Sequence, residues 1–174
     1  IDVGLGTLAQ SNIYTDLMTG DNLKRVPEEP FKVSWWYRRE FLVEAGPGGP
    51  GPAGPREKRS AEIGSRAGSP GAASSGISYV GLEFDGINYR ANIWLNGKKI
   101  ADAKDVYGAF RRFEFDVTSV APPGQKSVLA VEVFPPQAGD PTIGFVDWNP
   151  WPPDKSMGLW REVHVRSSGE VSIR

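Results

Sequence analysis

A chain of 174 residues is long enough for one domain with a core of its own, and 20 basic against 21 acidic residues leave a net charge of −1. That balance, with no basic stripe and no RNA-binding aromatic motif, argues against nucleic acid and against a charged membrane surface. With no cysteine and a single histidine, the chain has no disulfide framework, no thiolate zinc site and no metal-type His/Cys cluster. No apolar run reaches the roughly 18 residues of a membrane helix, and no signal peptide opens the chain. The first residue is Ile, which points to a fragment or a processed product, and the compartment stays open.

In chain order, only "IDVGLGTLAQSN" has the character of a helical turn. "WWYRREFLV" alternates large apolar and charged side chains, as a half-buried strand does. Residues 44–77 then break the pattern: 25 of these 34 are Gly, Pro, Ala or Ser and none is aromatic. Such a segment buries too little apolar area to offset an ordering cost of about 1–2 kcal/mol per residue. It reads as a flexible insertion, and its glycines lack the strict third-position repeat of collagen. A site that accepts it is expected to be a surface hairpin loop.

Beyond the insertion, "YVGLEFDG" places Val80, Leu82 and Phe84 on one face. "RANIWLNGKKIADA" is a hairpin whose Asn96-Gly97 supplies the two positive-φ residues of a type I′ turn. "RRFEFDVTSV" turns Phe113, Phe115 and Val117 inward, "SVLAVEVF" is a β-rich run, and "GLWREVHVRS" with "GEVSIR" closes the chain. Seven or so short strands punctuated by Gly, Pro and Asn predict an all-β fold, an antiparallel β-sandwich of jelly-roll type. His164 sits within this alternation as a strand histidine on one face. No Ser occurs in a nucleophile-elbow context, so a Ser-His-acid triad is rejected.

One segment departs from this economy. "VDWNPWPPDKSMGLWREV" gathers Trp148, Trp151 and Trp160 around Pro150, Pro152 and Pro153, where a core would use Val, Ile and Leu. Asn149 and Trp151 each precede a proline and are pushed toward extended conformations, which fixes the loop in advance of any ligand.

Taken in order, "GDNLKRVPEEPFKVSWWYRREF", "LEFDGINYRANIWLNGKKIADAKDVYGAFRRFEFDVTS" and "GFVDWNPWPPDKSMGLWREVHV" resemble the N-terminal sugar-binding, galactose-binding-like domain of glycoside hydrolase family 2. The resemblance covers all but the insertion, and the last segment is similar to the exo-β-D-glucosaminidase and β-mannosidase branch. It implies a single sugar-binding domain over residues 1–174, interrupted at 44–77 and lacking the family's opening strand. It further implies that the catalytic glutamates belong to a (β/α)₈ barrel beyond two further β-domains, so that this chain carries no catalytic residue and hydrolyses nothing alone. No cofactor is implied. The partners are a carbohydrate with a terminal β-linked sugar and those downstream domains.

By the same resemblance, Asp147 and Trp148 reach the terminal sugar, and Asp21 and Asn22 of "GDNLKRVP" approach it from a second loop. The chemistry is apt: a pyranose presents C–H faces to an aromatic ring and hydroxyls to paired acceptors. Trp35, Trp36 and Tyr37 read as core packing, and Trp160 as a core residue at the start of a strand. Asn88, Tyr89 and Arg90 read as ordering a turn. Asp154 and Lys155 either contact the barrel or stay solvated, and Asp21 with Asn22 is equally explained by an Asx-turn before an extended "VPEEPF". Two alternatives stand beside the glycosidase reading: a stand-alone carbohydrate-binding module or lectin, and a purely structural domain. Within the family, an exo-glucosaminidase is favoured over a mannosidase on the wording of the tryptophan loop.

Overall fold

Period-two alternation makes each strand bury one face, and the strands solve this by stacking in two sheets. The computed structural model describes residue 9 and residues 14–17, 19–44, 76–143 and 151–171. In chain order its strands are β1 (Trp35–Leu42), β2 (Tyr79–Phe84), β3 (Ile87–Asn88), β4 (Arg90–Leu95), β5 (Lys98–Ala101), β6 (Phe113–Asp116), β7 (Lys126–Phe134), β8 (Gly158–Leu159) and β9 (Val163–Ser168). One sheet runs β1-β7-β4-β5, a second runs β6-β2-β9, and β3 pairs with β8 in a short ribbon. Every pairing is antiparallel. The expected all-β sandwich is what forms.

The core lies between the sheets. Val80, Leu82 and Phe84 of β2 face Ala91, Ile93 and Leu95 of β4 and Leu129, Val131 and Val133 of β7 in one buried cluster. Phe84 meets Phe115 edge-on, with ring centroids 6.2 Å apart. Each large apolar side chain so enclosed stabilises the fold by about 1.5–3 kcal/mol relative to exposure. The β4–β5 hairpin closes as its dipeptide requires, with φ of 51° at Asn96 and 79° at Gly97. Asn96 also ties the turn to β7: its side-chain oxygen accepts from the Val128 amide at 2.8 Å, and its Nδ2 donates to the Val120 carbonyl at 2.7 Å.

Four expectations are corrected. The 44–77 segment is not a hairpin loop, because β1 pairs with β7 and β2 with β6 and β9; the connection passes from one sheet to the other. Trp36 is not in the core. It lies on the outer face of its sheet, 59% exposed, stacked on Trp94 at 5.0 Å. Trp35 and Tyr37, on the opposite face, are half-buried as expected. Nor is "VPEEPF" extended, since Glu29–Phe31 forms a short 3₁₀ turn with Pro30 in its first turn. Trp160 is half-buried beside the core: its ring closes over Gly86, where a Cβ would lie 2.6 Å from Nε1, and Nε1 donates to the Ala109 carbonyl at 2.7 Å.

Candidate functional site

Asp147 and Trp148 lie outside the described residues, whereas the segments leading into and out of their loop are described. Those two segments are held together by one side chain. Asn88 is fully buried at the end of β3. Its Oδ1 accepts from the Thr142 hydroxyl at 2.5 Å, and its Nδ2 donates to the carbonyls of Lys155 at 3.1 Å and Ser156 at 2.9 Å. A carboxamide offers both donors and acceptors, so one residue can clamp a hydroxyl on one segment and two carbonyls on the other. The sequence reading of Asn88 as a turn-ordering residue is thereby given a larger structural meaning. The Asn88–Tyr89 peptide is cis.

Lys155 and Ser156 need such support. Both adopt left-handed backbone conformations, with φ of 51° and 53°, which costs roughly 1–2 kcal/mol for each residue with a Cβ. Asp154, expected at a domain contact or in solvent, is instead buried at 1% exposure, and its Oδ1 accepts from the Ser156 amide at 2.9 Å. A short carboxylate capping its own loop satisfies an amide that burial would otherwise strand.

On the other segment the organising group is Asp140. Arg90 donates to both of its carboxylate oxygens, at 2.7 and 2.6 Å, and the Gln137 amide donates to Oδ2 at 2.8 Å. The forked geometry is the strong, orienting form of an ion pair. Arg90 holds the Asp140 carboxyl below its ordinary pKa, burial opposing the effect in part, and Asp140 raises Arg90 in return. Asp140 is therefore committed to the scaffold and orders the loop.

Between these two segments lies a concave pocket of about 300 Å³ whose wall includes Asp140, Thr142, Ile143, Trp151 and Lys155. Trp151 is 66% exposed, so a broad apolar ring borders a depression rimmed by polar groups. A pocket of this kind, mostly apolar with a few fixed polar groups, is how small-ligand sites are built.

The second predicted pair sits on a neighbouring element. Asn22 opens a 3₁₀ turn over Asn22–Arg25, with Asp21 just before it. Asp21 is exposed and paired with Lys24 at 2.8 Å, which lowers the Asp21 pKa by hydrogen bonding first and charge second. Asn22 Nδ2 donates to the Asp16 carbonyl at 3.0 Å, which folds the loop on itself. Asp21 makes no side-chain capping bond to that turn. What joins this element to the tryptophan loop is a small second hydrophobic cluster of Val26, Phe31 and Met157, with Leu23 and Trp35 packed against it. Met157 comes from the tryptophan loop, so the two segments singled out in the sequence share one anchor. Sequence reasoning passed over Met157, Asp140 and Thr142. Only the proximity of Met157 to the prolines hinted at a role.

Comparison with known proteins bears on the fold that carries these residues. Residues 69–141 match the family described as glycosyl hydrolase 2 galactose-binding domain-like. The chain is 32% identical over 168 residues to an exo-β-D-glucosaminidase of Amycolatopsis orientalis, covering 96% of this chain and 13% of that one. It is 37% identical over 115 residues to a mannosylglycoprotein endo-β-mannosidase of Lilium longiflorum, covering 55% and 12%. The crystal structure of an Amycolatopsis orientalis exo-chitosanase superposes with a TM-score of 0.75 at 29% identity, over 99% of this chain and 17% of that one. The chain thus spans about a sixth or less of the length of these relatives. Residues 69–141 belong to the galactose-binding-like domains of glycoside hydrolase family 2, and nearly the whole chain is similar to one part of the exo-β-D-glucosaminidases.

Proposed function

We propose that this chain is the sugar-binding domain of a retaining glycosidase acting on terminal β-glycosides, with β-D-glucosaminides favoured over β-mannosides as substrate. In this reading Asp147 and Trp148 complete the active site of a catalytic barrel carried elsewhere in the same protein. Asp147 accepts from sugar hydroxyls and Trp148 packs on a C–H face. Asp21 and Asn22 approach the same sugar from the neighbouring loop. The single observation that carries the reading is the clamp of Asn88, Thr142, Lys155 and Ser156, which fixes both ends of the loop bearing the Asp-Trp pair. Loop ends fixed in this way reduce the ordering cost when ligand binds. The two glutamates of retaining catalysis, about 5–5.5 Å apart, are assigned to the barrel, and the chain alone is inactive.

The test is kinetic and uses the whole enzyme. A hydrogen bond to a charged group contributes about 1.5–3 kcal/mol, and 1.36 kcal/mol is tenfold in rate, so Asp147→Ala is expected to lower kcat/KM by about ten- to a hundredfold. Trp148→Ala is expected to act in the same direction. Wild-type kinetics in Asp147→Ala, together with a collapsed thermal melt, would make the loop a structural brace instead. Turnover of aryl β-glucosaminide by the purified 174-residue chain would overturn the division of labour between domain and barrel.

A further inference from the structure

The outer face of the β6-β2-β9 sheet carries a cluster that the sugar-binding reading does not use. His164 lies on β9 and Glu162 immediately precedes the strand, two residues before it, so extended backbone sends both side chains to the same side. Asp85 follows β2, and its amide donates to the Glu162 carbonyl at 3.0 Å, extending the ladder in which Glu83 lies opposite His164. Folding thus brings together three ligand-type groups that are up to 79 residues apart in the chain. His164 Nε2 lies 2.9 Å from Asp85 Oδ2 and 3.4 Å from Glu162 Oε2, and the three donor atoms all lie within 4.8 Å of one another.

We propose that Asp85, Glu162 and His164 form a binding site for one divalent transition-metal ion of the zinc type. A single ring nitrogen facing two carboxylates is half satisfied by a proton, because one N–H points along one line. A metal ion satisfies all three groups at once. With ligand bonds of about 2.0–2.1 Å, the edge of a tetrahedral zinc site is ~3.3–3.4 Å. The Nε2–Glu162 separation already has that length, and the Nε2–Asp85 separation reaches it by a small side-chain rotation. Asp85 is set up for the task by its other oxygen: Arg112 Nε lies 3.1 Å from Oδ1, leaving Oδ2 toward the imidazole. Such outer partners orient metal-binding carboxylates. A mixed imidazole and carboxylate set suits zinc and its neighbours better than magnesium or calcium, which favour oxygen alone.

The fourth position is served by an open depression of about 490 Å³ beside the cluster, bordered by Glu83, Asp85, Arg112, Glu114 and His164. The ion joins the end of β2 to the start of β9 and acts as a staple on the face away from the core. Its ligands are separate from the Asn88 clamp, so the proposal stands apart from the sugar-binding reading.

The chain makes the test unusually clean, since it has one histidine and no cysteine. Any imidazole ligand to the metal must be His164. Chelator-treated protein titrated with zinc chloride in a calorimeter is expected to bind one ion per chain and to melt at a higher temperature with zinc. Cobalt(II) is expected to broaden or shift the ring C–H signals of the lone imidazole in the proton spectrum. His164→Gln and, separately, Glu162→Gln are each expected to weaken zinc binding at least tenfold and to abolish the thermal shift. Glu162→Gln guards against a folding defect, because that side chain is 68% exposed. Absence of zinc binding at millimolar concentration would overturn the site. So would zinc affinity unchanged in both variants, which would place the ion on scattered surface carboxylates.

Discussion

The core between the two sheets and the loop end of the sandwich are held by different physics. Between the sheets, Val80, Leu82, Phe84, Ile93, Val131 and Val133 are at most 1% exposed; they are apolar and interchangeable in kind. At the loop end the work falls to polar side chains bonded to distant backbone: Asn88 to residues 155 and 156, and Arg90 to Asp140. Hydrophobic burial is non-directional and tolerates similar shapes. A buried hydrogen-bonded clamp fixes geometry, and removing one partner leaves the others desolvated and unpaired. The fold therefore rests on area, and the presentation of the tryptophan loop rests on a few directional contacts.

The largest expected effect lies in the core. Phe84→Ala removes a ring that is 1% exposed and leaves a cavity against Phe115. A loss of about 3–5 kcal/mol is expected, measured by urea denaturation of the chain. Loop-end geometry is affected only through global unfolding. If the variant lost less than about 1 kcal/mol, the sandwich core as described would be wrong.

Next comes the clamp. Asn88→Ala strands the Thr142 hydroxyl and two carbonyls, and each buried unsatisfied group costs about 1–3 kcal/mol, with water entering to relieve part of it. A net loss of about 2–3 kcal/mol is expected, and a melting shift of about 2–4 °C per kcal/mol for a chain of this size. Hydrogen exchange sharpens the comparison: amides of 140–142 and 155–157 should lose protection more than those of β2 and β7. Uniform loss over the whole sandwich would mean that Asn88 is only another core residue.

The Arg90–Asp140 pair makes the comparison pH-dependent. Asp140 has its pKa lowered in the fold, chiefly by the hydrogen bonds from Arg90. A carboxylate depressed in this way contributes stability that is present above its unfolded value, about 3.9, and is lost as pH falls through the folded value. The stability difference between wild type and Asp140→Asn should therefore be constant near neutrality and shrink as pH drops below about 4. Thermal melts from pH 7 down to pH 3 read this directly. A difference that grew on acidification would contradict the assignment.

The same contrast explains what could be seen in the sequence. Strands were legible because period-two burial is written locally, as in Val80, Leu82 and Phe84, and Asn96-Gly97 announced its own turn. The tryptophan loop was legible as an oddity, and its relation to the family followed from its wording. The clamp was not, because Asn88 finds its partners 54 to 68 residues away. Asp154 was misjudged for a related reason: a charged residue in a Pro-rich loop reads as solvated until the loop folds back over it. The Asp85, Glu162 and His164 cluster escaped as well, since the register of β2 on β9 brings it together. Trp36 shows the limit of alternation, which says which residues share a face but not which face is covered.

That face gives the smallest expected effect. Trp36 stacks on Trp94 across β7, on the side of the sheet away from the core, with rings inclined by 27°. An aromatic pair of this kind contributes about 0.5–1.5 kcal/mol beyond area burial. Trp36→Ala should therefore lower stability by no more than about 1.5 kcal/mol, well below the loss in Phe84→Ala. A double-mutant cycle with Trp94→Ala isolates the stacking energy, because the two rings are in contact and their effects should not add. Near-ultraviolet circular dichroism should lose the coupled indole signal in either single variant while far-ultraviolet spectra stay unchanged. A loss above about 3 kcal/mol on Trp36→Ala would place this tryptophan among the core residues, and the division between a packed inner face and an open outer face would fail at that strand.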